Sequence, residues 1–400
     1  MANEAKQVSM DISELKEFLN YMIENNKYIQ EKDKIPISIN IESDAGIGKT
    51  STAIQITEEN DLQFIKINLS QIEEIGDLVG FPCKEYELIK VTESGIETRW
   101  VPESTITTYI ANKYKPTGEK RMTHAAPDWI QGLKEGGILL LDDYTRADTR
   151  FMQAAMEIID RQKYISWSLP KNWTVLLTTN PDNGDYSVSS LDPAQKTRFI
   201  TVKLKFNIEC WAEWAEKNEI DGRCINFMLL HPELVTKDVN PRSATTFFNS
   251  LSSIKDFEKR LPLIQQIGEG SVGQEFATLF TLFINNRLDK LVTPEYMISS
   301  KNSIDSVLKK IYECVGDPDN YRGDIASVLV NRLINYSLNY AETKTINDDF
   351  IERLEKLICK TNPHFTDDLK FVMVKKIVGG KRNKFQNLMN NPEVVQMTIK

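Results

Sequence analysis

Residues 35–50 read IPISINIESDAGIGKT. Ile35 to Ile41 alternate apolar and polar side chains, the period of a β-strand. Ser43 to Thr50 then follow the pattern G-x-x-x-x-G-K-[S/T], with serine at the first position. Gly46 and Gly48 supply the small residues that let successive backbone N–H groups wrap a phosphate. A helix of about three turns is expected from Lys49 to Glu59, and its N-terminus adds free donors and a favourable dipole. In such a loop Lys49 neutralises β- and γ-phosphates and the Thr50 hydroxyl ligates Mg²⁺. Ala45, Gly46, Ile47, Gly48, Lys49, Thr50 and Ser51 form the expected nucleotide-binding set. Glycine at the first position would permit φ > 0, so Ser43 is expected to distort the loop's start.

Downstream, GGILLLDDY (Gly136–Tyr144) is a continuous apolar run ending in two acids, the pattern of a buried parallel strand. An acid at the C-terminal end of such a strand sits where open α/β sheets bind ligands. Asp142 is the expected magnesium holder, through water, and Asp143 the group that polarises an attacking water. WTVLLTTN places Asn180 at the end of another buried strand, Trp173 to Thr179, as a sensor beside the γ-phosphate. Arg198, in LDPAQKTRF before a strand spanning 199–206, is the expected arginine supplied across a subunit boundary. Arg242, in NPRSATTF at a helix start, is the expected second sensor.

Between these motifs, residues 12–28 place Leu15, Phe18, Leu19 and Met22 at helical spacing, and Gln63 to Leu69 reads as a strand. Residues 82–128 read as a hairpin-like insertion plus an exposed loop. That loop carries Lys113, Lys115, Lys120 and Arg121, a solvated face or a substrate-facing surface. Asp148 to Gln162 reads as a helix with Met152, Ala155, Met156 and Ile159 toward the core. After Cys210 the pattern is helical throughout, including 274–288, 346–358 and 367–378. Strands interleaved with helices, then helices alone, predict an α/β core followed by an α-helical part.

Composition narrows the function class. Of 400 residues, 41% are hydrophobic and 26% charged, an ordinary globular profile. The net charge of -8 argues against a dedicated nucleic-acid binder. Five scattered cysteines without a CxxC pair fit a reducing compartment, and three isolated histidines give no zinc-site spacing. No run approaches the roughly 18 apolar residues of a membrane span. MANEAKQVSMD lacks the apolar segment of a signal peptide. A cytoplasmic location is expected.

The five elements, in this order, resemble the AAA+ superfamily and, within it, the MoxR-like branch, related to dynein and midasin. IGDLVGFP (Ile75–Pro82), TRWVPES, MQAAMEIIDRQ, LPKNWTVLLTTNP, NPRSATTFFNSL and IGEGSVGQEF are similar to that branch in order and spacing. The resemblance covers about residues 10–340. It implies an α/β P-loop NTPase core with a parallel five-stranded sheet, then an α-helical lid and a helical C-terminal region. The corresponding divisions are an N-terminal helix (1–30), the core (31–207, with 82–128 inserted), the lid (208–300) and the extension (301–400). It implies ATP and Mg²⁺ as ligands and a homo-oligomeric ring, a hexamer, with ATP at the subunit interface. It also implies chaperone-like remodelling, often with a von Willebrand factor A domain protein as partner. Most of the superfamily carries glutamate where this chain has Asp143, one methylene shorter, and slowed hydrolysis is expected from that. Two alternatives stay open: an ATP-binding scaffold with little turnover, and a nucleic-acid-directed motor using the Lys113–Arg121 cluster. No NKxD motif supports a small GTPase.

Overall fold

The computed structural model describes residues 8–93, 95–184, 186, 188–285, 291–381 and 383–399. The segment 1–7, which opens the stretch read for a signal peptide, and residues 286–288 of the expected helix 274–288 lie outside the described residues. The chain divides into two compact units, 1–205 and 206–400.

The strands of the first unit are β1 (Ser9–Met10), β2 (Ser38–Glu42), β3 (Gln63–Asn68), β4 (Pro82–Thr92), β5 (Gly95–Pro102), β6 (Lys115–His124), β7 (Gly137–Asp142), β8 (Lys163–Tyr164), β9 (Trp167–Ser168), β10 (Trp173–Thr179) and β11 (Phe199–Leu204). Six of them form one sheet in the order β1-β11-β2-β10-β7-β3, with every neighbouring pair parallel. The parallel α/β sheet expected from the sequence is therefore present, with six strands rather than five. The extra strand is β1, which pairs with Lys203 and Leu204. Two residues are too few to show a hydrophobic period.

Helices cover both faces, so the central strands are buried on both sides and read as apolar runs. On one face lie α1 (Ile12–Gln30) and α2 (Lys49–Glu59). Leu15 and Leu19 of α1, with Ala53 and Ile56 of α2, pack with Ile39, Ile41, Ile138, Leu140 and Leu176. Asp11 starts α1 with a capping box, accepting from the Glu14 N–H while Glu14 accepts from its own. On the other face the helix Thr149–Arg161 buries Phe151, Met152, Ala155, Ile158 and Ile159 against Leu139, Leu141, Val175 and Leu177. Gly137 faces Trp173 across the β7–β10 pair. A Cβ on Gly137 would stand 2.5 Å from the indole, so this glycine makes room for the ring.

Two segments differ from the sequence reading. The strand expected at Ile35 begins at Ser38. Pro36 has no N–H to donate, and the Asn26 side chain bonds both the N–H and the C=O of Ile37, at 2.8 and 3.0 Å, in place of a strand neighbour. The basic stretch read as an exposed loop is largely β6, which with β4 and β5 forms a three-stranded antiparallel sheet. Residues 115–122 are exposed along their whole length, so no apolar alternation marks the strand.

The second unit is helical. One core gathers Phe227, Phe247, Phe248, Phe276 and Phe280 from the helices Gly222–Leu230, Pro241–Ser250 and Gln274–Asn285. Another gathers Leu329, Leu333, Leu354 and Met373 from Gly323–Thr343, Asp348–Ile358 and Asp367–Gly380. Arg332 is buried and donates to Glu216 at 2.8 Å and Asn226 at 3.2 Å. Among the described residues no helix is long and apolar enough to cross a membrane.

Candidate phosphate-binding site

Parallel pairing brings the C-terminal ends of four strands to one edge. Glu42 of β2 pairs with Thr179 of β10, Leu177 of β10 with Leu141 of β7, and Asp142 of β7 with Asn68 of β3. The chain leaving each strand there carries Ser43, Asn180, Asp143 and Leu69 respectively. This is the edge at which open α/β sheets bind ligands.

The loop from Ser43 to Gly48 turns through Gly46 (φ 77°) and Gly48 (φ 110°), the latter capping α2. At Gly48 a side chain would be strained whatever the space. Ser43 is not among the positive-φ residues, so glycine is not needed there. Its N–H donates to the Thr179 carbonyl at 3.2 Å, which continues the β2–β10 ladder by one residue. The expected distortion at Ser43 is therefore absent, because the backbone is still extending the sheet.

Lys49 is 8% exposed, and its ammonium reaches back across the loop. It donates to the Ser43 carbonyl (2.7 Å), the Ser43 hydroxyl (3.1 Å), the Asp44 carbonyl (3.1 Å) and Asn180 Oδ1 (3.1 Å). Thr50 donates its hydroxyl to the Asp142 carboxylate, at 3.2 and 3.3 Å from its two oxygens. Lys49, Thr50, Asp142 and Asn180 thus meet within hydrogen-bond reach although they come from three separate segments. Ala45, Gly46 and Ile47 are half-buried in the loop, and Ser51 is exposed on the first turn of α2.

Two residues that the sequence reading missed complete the Asp142 environment. Thr178 on β10 donates to Asp142 Oδ1 at 2.5 Å and accepts the Asp143 N–H at 3.0 Å. Lys66 on β3 lies 2.8 Å from Asp142 Oδ2. Burial pushes the Asp142 carboxyl up, but the bonds from Lys66, Thr178 and Thr50 and the Lys66 charge outweigh it and hold the group below the ordinary carboxylate value. Lys66 is exposed on the edge strand QFIKIN, where a lysine is ordinary, so nothing in the sequence singles it out. Asp143 sits in the left-handed region (φ 55°, ψ 38°), a conformation that aspartate tolerates better than most residues. A third missed residue, Tyr186, accepts the Ala45 N–H at 3.2 Å and donates to Asp44 at 3.3 Å.

Arg198 lies elsewhere in the first unit. Arg198 precedes β11, whose Phe199 pairs with Ser38 at the start of β2. It therefore lies at the opposite edge of the sheet, one strand length or about 17 Å from the Ser43–Gly48 loop of the same chain. It is exposed, donates to the Ala194 carbonyl at 3.2 Å and lies 3.8 Å from Asp160. Arg242 belongs to the second unit, exposed on the first turn of the helix Pro241–Ser250, with Asn240 as its cap.

Among the described residues no three His, Cys, Asp or Glu side chains cluster as a metal-ligand set. The Thr50 hydroxyl and Asp142 carboxylate are hard oxygen donors, which suit Mg²⁺ held jointly by one carboxylate, phosphate oxygens and water.

No family model matches the chain, and no curated protein matches it. Solved structures similar to it include a mutant RuvB of Thermotoga maritima, at 13% identity over 76% of this chain and 79% of that one, with a TM-score of 0.34. The Thermotoga maritima RuvB Holliday junction branch migration motor aligns at 11% identity over 95% and 89%, with a TM-score of 0.30. A candidate ATPase of Cytophaga hutchinsonii aligns at 15% identity over 86% and 94%, with a TM-score of 0.30.

Proposed function

We propose that the chain is a P-loop ATPase of the AAA+ superfamily, in its MoxR-like branch, that couples ATP hydrolysis to remodelling of a protein partner. One observation carries the reading: the loop lysine meets Asn180 at 3.1 Å and the adjoining threonine meets Asp142 at 3.2 Å, all at one sheet edge. A glycine loop that merely turned the chain would not require those two polar strand ends beside its lysine and threonine.

In this reading the backbone amides of residues 45–50 bind the phosphates, helped by the N-terminus of α2. Lys49 supplies a positive charge to the β- and γ-phosphates. Thr50 and Asp142 would hold Mg²⁺, which when bound neutralises charge developing on the phosphate oxygens. Asn180 orients a water, and Asp143 accepts its proton. Because Asp143 is shorter than glutamate, its carboxylate stands back from that water. A displacement of about 1 Å costs on the order of a hundredfold in rate. Arg198, distant from the loop of its own chain, would serve the site of a neighbouring copy in a ring, read as a hexamer. Residues 208–300 act as a lid presenting Arg242, and 301–400 as a helical extension. The partner is a protein, of the von Willebrand factor A class in this branch.

The test is steady-state ATP hydrolysis across protein concentration, beside Lys49→Ala and Arg198→Ala. Activity per subunit that rises with concentration and vanishes in both variants supports a ring ATPase with a trans-acting arginine. Retained nucleotide binding with turnover no higher than in Lys49→Ala supports the second reading, a nucleotide-dependent scaffold, which the short Asp143 side chain favours. A nucleic-acid motor finds less support in β6, where Glu85 pairs with Arg121 at 2.7 Å. Steeply salt-dependent DNA binding would be its signature.

A further inference from the structure

We propose that Lys66 is a resident cation of the phosphate site, which holds the Asp142 carboxylate in competition with a divalent metal and so sets the metal concentration at which the site loads. The inference rests on the nucleotide reading above and adds a residue that the P-loop pattern does not contain.

Three donors converge on Asp142. Thr178 occupies Oδ1, Lys66 occupies Oδ2 at 2.8 Å, and the Thr50 hydroxyl stands 3.2 and 3.3 Å from the two oxygens. The two side chains whose oxygens suit a metal are thus already bonded to each other, and the carboxylate's charge is already compensated by an ammonium. Admitting a divalent cation beside Asp142 requires the Thr50 hydroxyl to turn its proton away. It also brings two positive centres to one carboxylate, and like charges at such separations repel by an amount that grows as water is excluded.

Lys66 has somewhere to go. Its side chain is 41% exposed, against 11% for Asp142, because β3 is the last strand of the sheet. The four-carbon stem can swing the ammonium into water while its β-carbon stays fixed in the strand. Lys66 is the more exposed member of the pair, so its ammonium can leave the carboxylate without opening the sheet. The geometry is that of a competitor that yields.

The experiment uses the full chain as wild type, Lys66→Met and Lys66→Arg, with ADP and Mn²⁺ as probes. Calorimetry gives ADP affinity without metal, and electron paramagnetic resonance gives free Mn²⁺ during titration at saturating ADP. Lys66→Met removes the charge and keeps the stem. It should tighten Mn²⁺ binding about tenfold, the effect of one half-screened like-charge contact. Lys66→Arg should stay close to wild type. Unchanged or weaker Mn²⁺ binding in Lys66→Met, with ADP binding intact, overturns the inference and leaves the nucleotide reading standing. Weaker metal-free ADP binding in that variant would make Lys66 a phosphate ligand and equally overturn it. Failure of the wild type to bind ADP removes the nucleotide reading and this inference with it. Should Lys66→Met melt out by circular dichroism, Lys66→Gln carries the same comparison.

Discussion

Replacing Thr178 by valine keeps the shape of a side chain that is 1% exposed and removes one hydroxyl. That hydroxyl makes two bonds, donating to Asp142 Oδ1 at 2.5 Å and accepting the Asp143 N–H at 3.0 Å. A hydrogen bond to a charged group contributes about 1.5–3 kcal/mol net, and a buried donor left without an acceptor costs about 1–3 kcal/mol. The Asp143 amide is only half-buried, so water recovers part of the second cost. The expected loss is therefore about 2–4 kcal/mol. For a unit of 1–205, that lowers the melting transition by roughly 5–15 °C. The same hydroxyl holds the Asp143 N–H in the left-handed turn, so on the proposed ATPase reading ATP turnover should fall by about ten- to a hundredfold, in kcat more than in KM. Thr178→Ser is the control: it keeps the hydroxyl and gives up one buried methyl, about 1 kcal/mol. Differential scanning calorimetry and steady-state kinetics on both variants read the two effects. Valine and serine variants that melt together and turn over ATP at one rate would show that the hydroxyl neither stabilises the site nor positions Asp143.

Ser43→Gly should leave nucleotide affinity at or below wild type, since no positive φ asks for glycine and the hydroxyl that accepts from Lys49 would be lost; equilibrium binding of ADP measures this, and a tighter site would contradict it. Arg332→Met strands Glu216, whose side chain is 14% exposed, and should cost about 3–5 kcal/mol in the second unit by calorimetry. Adding Glu216→Met should recover most of that loss, because the cost lies in the unpaired charge rather than in the missing pair. Asp221 caps the helix Gly222–Leu230. Burial raises its carboxyl, but the Arg223 bonds and charge prevail and hold it below the ordinary value. A depressed folded-state pKa gives stability that is present above the unfolded value of about 3.9 and is lost as pH falls through the folded one. Acid melts of Asp221→Asn should therefore slope less steeply than wild type from about pH 5 downward.

The parts of the fold legible in the sequence are those where one physical requirement acts alone. β7 and β10 lie between neighbours and under helices on both faces, so they must be mainly apolar, and GILLLD and WTVLLTT say so, their polar side chains being one aspartate and three threonines. The helix Thr149–Arg161 shows a one-sided apolar stripe because it has one sheet to cover. Legibility fails where requirements mix. β6 is exposed on both faces, so nothing in its side chains distinguishes a strand from a loop, and only its ladder with β4 reveals it. The late start of β2 depends on Asn26, which comes from α1 and takes over the bonds of Ile37. No local pattern announces a competitor from another element.

The site divides along the same line. Lys49, Thr50 and Asp142 are constrained by covalent neighbours: glycines that shape the loop, a helix that follows it, and a strand that ends in acid. Those constraints are written in consecutive residues. Lys66 and Thr178 are constrained by sheet order instead. Asp142 ends β7, and β7 lies between β3 and β10; Thr178, next after the Leu177–Leu141 pair, stands level with it, and Lys66 reaches it from two residues before Asn68, its partner on β3. Their spacing from Asp142 along the chain carries no information, while their spacing across the sheet is one strand, near 5 Å. The same sheet geometry separates Arg198 from the loop. A residue entering a parallel strand and a residue leaving its neighbour stand at opposite edges, so an arginine just before β11 can serve a phosphate loop just after β2 only if that loop belongs to another copy of the chain.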